Sequence, residues 1–136
     1  MASIRKEIAL AVAPAAVWDA VRDVGNVHRR LFPGILTDAR LDGDARVVTF
    51  ANGMVLRELI VDIDDDARRF VYASVGGSTS HHNASIQVLP DGTQGSRLIW
   101  ITDLLPDERR APVAGLMHQG IAVLKQTLER ARTAGD

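Results

Sequence analysis

Between Ile35 and Pro106 the chain is a succession of short runs in which apolar and polar residues alternate, each closed by residues that turn the backbone. The runs cover about 35–41, 45–51, 54–63, 69–75, 82–89 and 96–105. The breaks are Asp42-Gly43-Asp44, Asn52-Gly53, Asp64-Asp65-Asp66, Gly76-Gly77-Ser78 and Asp91-Gly92. A period of two marks a strand with one buried face. Connections this short leave no room for the crossover that parallel pairing needs, so an antiparallel sheet is predicted. Asn52-Gly53 between two apolar runs signals a hairpin, because both residues tolerate positive φ.

The flanks complete the pattern. Residues 3–12 alternate as well, with Ile4, Ile8, Leu10 and Val12 on one face, and predict one more strand. Pro14 suits a first helical turn; Val17, Trp18, Val21 and Val24 follow at helical spacing, and Gly25 is expected to end that helix. Asn26 is expected to cap a second short helix through Arg30, stopped by Pro33-Gly34. At the other end, Val113, Met117, Ile121, Leu124, Leu128 and Ala131 make a continuous apolar stripe, predicting one long helix over about 108–132. Gly120 lies on its buried side, where glycine costs about 1 kcal/mol against alanine, so close backbone approach or space for a ligand is expected there. The order predicts an α+β fold: a curved antiparallel sheet of about seven strands around a long C-terminal helix, with two short helices after the first strand. The gap between such a sheet and its helix is a natural ligand site.

A length of 136 residues suits one domain, 1–136. Lys plus Arg is 16 against 17 Asp plus Glu, giving a net charge of -1. That balance argues against nucleic acid as the main partner. Cysteine is absent, which excludes disulfides and thiolate chemistry. No apolar run is long enough for membrane insertion, and the start of the chain shows no signal-peptide pattern, so a cytoplasmic protein is expected. His81-His82 does not make a metal pair on a strand, because neighbouring residues face opposite ways. Asp62-Ile63-Asp64-Asp65-Asp66 lacks calcium-loop spacing and reads as a turn screened by Arg68 and Arg69. His118 is expected to be peripheral and His28 exposed. No cofactor and no metal are expected.

Several segments, in order and at this spacing, resemble the helix-grip fold of the START-like, or SRPBCC, superfamily over nearly the whole chain. They are Pro14-Ala15-Ala16-Val17-Trp18 leading to Arg22-Asp23, Arg57-Glu58-Leu59 followed by Asp64-Asp65, and Val75-Gly76-Gly77. The strand Ser96–Thr102 with Trp100 and the late Gly120-Ile121-Ala122-Val123-Leu124-Lys125 complete the set. The superfamily includes polyketide cyclases/aromatases, lipid-transfer domains, the major birch-pollen allergen and plant abscisic-acid receptors. The resemblance to the plant receptors is clearest from Glu58 to Asn83. It implies that their pocket-facing glutamate falls on Glu58 and their mobile Gly-Gly loop on Gly76-Gly77, with Ser78, Thr79 and Ser80. Their proline-containing gate is replaced by Ala51-Asn52-Gly53-Met54. Their pocket lysine has no match among the strands, since Lys6 and Lys125 are the only lysines.

Strand parity then selects candidates. Along 54–63 one face carries Met54, Leu56, Glu58, Ile60 and Asp62, and the other Val55, Arg57, Leu59, Val61 and Ile63. Apolar counts slightly favour the Arg57 face inward, whereas the resemblance implies Glu58 inward and is followed here. The ligand-lining set is Leu56, Glu58, Ile60, Phe70, Tyr72, Ser74, His82, Ala84, Ile86, Leu98, Trp100, Met117, Gly120 and Leu124. Three readings follow. The first is binding of a small hydrophobic molecule such as a lipid, polyketide or aromatic compound. The second is a cyclase, aromatase or dehydratase with Glu58 as acid/base, assisted by Tyr72 or His82. The third is a cochaperone-like protein-interaction domain. A homodimer is compatible with each.

Overall fold

The computed structural model of the chain describes residues 1–135. β1 (Ala2–Leu10) leads into α1 (Pro14–Arg22) and, through a 3-10 turn at Val24–Asn26, into α2 (Val27–Arg30). Six strands follow: β2 (Leu36–Asp42), β3 (Ala45–Phe50), β4 (Val55–Asp64), β5 (Arg69–Val75), β6 (His81–Asp91) and β7 (Gly95–Leu105). A 3-10 turn at Asp107–Arg109 opens α3 (Arg110–Gly135). Every predicted strand forms, with its ends within two residues of the expected ones, because each is delimited by residues that break the alternation.

The sheet is antiparallel, seven-stranded, and ordered β1-β7-β6-β5-β4-β3-β2. β2 to β7 form a meander of hairpins, and β1 lies beside β7 with Ala2 opposite Leu104 and Leu10 opposite Ser96. α1 and α2 carry the chain from one sheet edge to the other. The curved sheet wraps around α3, which is the expected helix-grip architecture.

Four local expectations are corrected. α1 stops at Arg22 rather than at Gly25. Asn26 makes no capping bond; its amide donates instead to the Asp23 carboxylate at 3.1 Å. In the β3–β4 hairpin only Gly53 has positive φ, at 89°. Gly53 N–H donates to Phe50 O at 2.9 Å, Phe50 N–H to Met54 O at 2.8 Å, and Met54 N–H to Asn52 Oδ1 at 2.9 Å. The loop is therefore three residues long, closed by one left-handed glycine. In the acidic turn, Asp65 is partnered by Trp18 Nε1 and Arg22 Nε, both at 2.8 Å, rather than by Arg68 or Arg69. Both donors hold its carboxyl below the usual carboxylate range, Arg22 foremost.

Met117, Ile121, Leu124 and Leu128 bury the α3 stripe, Val113 is half-buried and Ala131 is exposed. The later half of α3 is fastened to the end of β1. Lys125 Nζ donates to Ala9 O at 2.8 Å, and Glu129 Oε2 accepts the Ala11 N–H, also at 2.8 Å. Beside this closure Ser96 Oγ, fully buried, donates to Val12 O at 2.5 Å. Ser96→Ala is expected to lower stability by about 1 kcal/mol, since the carbonyl loses its donor inside the protein. Thermal unfolding reads this as a fall of roughly 3–5 °C.

Candidate functional site

The earlier half of α3 does not close on the sheet. Between it and β3–β7 lies a cavity of about 180 Å³. It opens to solvent where its wall is exposed, at Met54, Gly76-Gly77-Ser78, Pro112 and Leu116. A dry apolar cavity of about 150 Å³ already admits a benzene-sized guest, so the enclosed part has room for a ring. Apolar residues dominate the wall, among them Phe32, Leu36, Val48, Phe50, Leu56, Trp100 and Met117.

Polar groups enter this wall from the strands. Glu58 on β4 faces inward and is 8% exposed, whereas the Arg57 side chain is 42% exposed and pairs with Asp42 outside, at 2.6 Å. The two parities are thereby separated. Arg46, 4% exposed, sits opposite Glu58 in the β3–β4 register and donates from Nε to Glu58 Oε1 at 2.7 Å. Its Nη1 reaches Val24 O at 3.3 Å. The guanidinium also lies over the stacked rings of Phe70 and Tyr72, at 5.1 and 5.2 Å from their centroids. Arginine suits this place because its flat cation can stack and pair at once. Glu58 is therefore not an isolated carboxyl in an apolar pocket: two buried charges neutralise each other. Glu58 Oε2 has no protein donor among the described residues.

Beside this pair, Trp100 Nε1 donates to the Tyr72 hydroxyl oxygen at 3.2 Å. Burial, with the Glu58 carboxylate next to it, pushes the Tyr72 phenol above its ordinary range. It stays a neutral hydroxyl at physiological pH. His82 is half-buried in the wall, and burial pulls its imidazole below the ordinary value against the opposing effect of Glu58. A neutral ring with one donor and one acceptor nitrogen results. Glu58, Tyr72 and His82 thus converge on one space, with His81 exposed on the other face.

Seven of the fourteen predicted lining residues bound the cavity: Leu56, Glu58, Tyr72, His82, Trp100, Met117 and Gly120. The others lie away from its wall. Phe70, Ala84, Ile86, Leu98 and Leu124 are fully buried in the packed core. Ile60 is half-buried against the core. Ser74 stands opposite Glu58 on β5, with a buried Oγ that has no partner. His28, expected to be exposed, is half-buried with an unpartnered Nδ1. Sequence reasoning missed Arg46, Phe32, Ile35, Met54, Arg109, Pro112 and Leu116 on the wall. Arg46 was within reach: it and Glu58 lie equally far on either side of Asn52, so a hairpin centred there sets them face to face. No group of three or more metal-ligating side chains occurs among the described residues.

A curved sheet gripping one helix, with an open and mainly apolar cavity between them, defines a helix-grip protein. The chain belongs to the family described as polyketide cyclase / dehydrase and lipid transport, which it matches over residues 1–133. No curated protein matches the sequence. Among solved structures the chain is similar to the protein XoxI from Bacillus cereus, with 19% identity over 96% of this chain and 95% of that one and a TM-score of 0.83. It is also similar to norcoclaurine synthase from Thalictrum flavum, solved with dopamine and hydroxybenzaldehyde, with 15% identity over 99% of this chain and 88% of that one and a TM-score of 0.77. The di-domain ARO/CYC BexL of the BE-7585A biosynthetic pathway shares 14% identity over 97% of this chain and 48% of its own, with a TM-score of 0.83. At these identities the likeness is one of fold.

Proposed function

We propose that the chain binds a small hydrophobic molecule in the cavity under the first half of α3. The observation that carries this reading is the cavity itself: about 180 Å³ of mainly apolar space, with a solvent opening, between the sheet and the first half of α3. Apolar burial supplies the affinity, at about 25 cal/mol per Å² before the costs of binding. Glu58, Tyr72 and His82 orient the ligand's polar substituents. The family description and the aromatic ligands named with norcoclaurine synthase support a ring-bearing guest.

The convergence of Glu58, Tyr72 and His82 favours a second reading, acid/base catalysis of the cyclase or dehydratase type. Glu58 would accept a proton from the substrate while Tyr72 or His82 donates one to a developing oxyanion. Trp100 fluorescence, titrated with one- and two-ring aromatic compounds, tests binding because the indole is part of the wall. Glu58→Gln separates the two readings. A binder keeps its affinity for a neutral ligand within about tenfold. A catalyst of polyketide-like cyclisation loses turnover by about 100-fold or more, since the amide cannot take the proton. Tyr72→Phe, which keeps the ring stack, serves if Glu58→Gln folds poorly. Titration with no fluorescence change across the whole panel contradicts both readings.

A further inference from the structure

Two arginines and one carboxylate stand in the cavity wall: Arg46, Arg109 and Glu58. Arg46 and Glu58 cancel each other at 2.7 Å. The third, Arg109, does not fit that economy. It stands in the turn that opens α3, one helical turn before the wall residues Pro112 and Val113, and is half-buried. Its Nε is buried and has no hydrogen-bond partner, and its side chain makes no ion pair among the described residues. The neighbouring acids leave it so. Asp107 faces the N-terminal amine at 3.3 Å, and Glu108 forms no salt bridge with it.

A buried donor without an acceptor costs about 1–3 kcal/mol, and more when it is charged. A cation half-buried at the rim of an apolar cavity gains most from a partner that arrives with the ligand. There it is shielded from water on one side, and a guanidinium can meet a carboxylate or sulfonate through two N–H groups. Ser78 and Thr79, also on the wall, add hydroxyl donors. The chain as a whole, at a net charge of -1, exerts no general attraction for anions, so the preference is local to this rim.

Building on the binding reading above, we infer that the cavity takes a compact, ring-bearing compound with one anionic substituent, and that Arg109 binds the anion. The rings lie among Phe32, Leu56 and Trp100, with the acidic group at the opening. Arg109 thus sets the specificity of the site. The Arg46–Glu58 pair stays intact and meets only the ligand's neutral polar atoms.

Two fluorescent probes of one scaffold test this: 1-anilinonaphthalene-8-sulfonate and its uncharged relative N-phenyl-1-naphthylamine. The wild-type protein is expected to bind the sulfonate at least about tenfold more tightly, which corresponds to about 1.4 kcal/mol. Arg109→Gln is expected to erase that preference while leaving the neutral probe within about twofold of its wild-type affinity. Arg109→Lys, which retains the charge and loses the fork, is expected to keep part of it. Equal affinity for both probes in the wild type, or a preference that survives Arg109→Gln, overturns the assignment of Arg109 while the cavity remains a binding site. Failure of the wild type to bind either probe overturns the binding reading, and this inference with it.

Discussion

Arg46→Met is expected to destabilise the protein by about 3–5 kcal/mol, because it strands the Glu58 carboxylate in the interior without a counter-charge. Against the total of about 5–15 kcal/mol that holds a domain together, this is a severe loss. The methionine also leaves Phe70 and Tyr72 without the cation that lies over their rings. The double variant Arg46→Met/Glu58→Met is expected to recover most of the loss, since apolar residues can replace a buried ion pair at little net cost. Urea unfolding of the three proteins decides the point. A single variant within about 1 kcal/mol of wild type would mean that Glu58 reaches water and is not confined beside Tyr72.

Gly120→Leu is expected to reduce binding of any cavity-filling aromatic ligand by more than about tenfold while costing about 1–3 kcal/mol of stability. A Cβ at this position already meets Trp100 Cζ3 at 3.3 Å and Phe32 Cε1 at 3.5 Å. A leucine must therefore displace the indole or extend into the cavity. Both readings of this glycine apply together: the helix backbone comes close to two aromatic rings, and those rings are cavity wall. Gly120→Ala separates the contributions. It asks Trp100 to give by only a few tenths of an ångström and gains helix propensity, so near-native stability and retained binding are expected.

The strands were legible because alternation and turn residues are local signals, and this sheet is a meander in which every strand but β1 pairs with its neighbour in sequence. The grip of α3 was legible from its stripe. The stripe does not reveal at which end the helix leaves the sheet. Leu124 and Met117 lie on one apolar stripe, yet Leu124 is packed solid and Met117 bounds the cavity. The packed end is the one at which Lys125 and Glu129 hold the end of β1, a contact more than a hundred residues apart in sequence. Parity placed Glu58 on a face without naming its partner, because a cross-strand neighbour depends on loop length. Parity also failed locally: the register shifts between Ile60 and Asp62, so Asp62, on the Glu58 face by strict alternation, is exposed. The rim residues Arg109 and Leu116 come from the start of α3 and lie off its apolar stripe, where no period announces which side chain faces a cavity.

Native mass spectrometry tests the central claim most directly, applied to the wild-type protein and to Gly120→Leu after incubation with a mixture of one- and two-ring aromatic compounds. A cavity that binds such ligands gives a one-to-one adduct in the wild type that weakens or vanishes in Gly120→Leu. Absence of any adduct in the wild type, or an adduct equally abundant in both proteins, would show that the space beneath the first half of α3 is not where this chain holds a ligand.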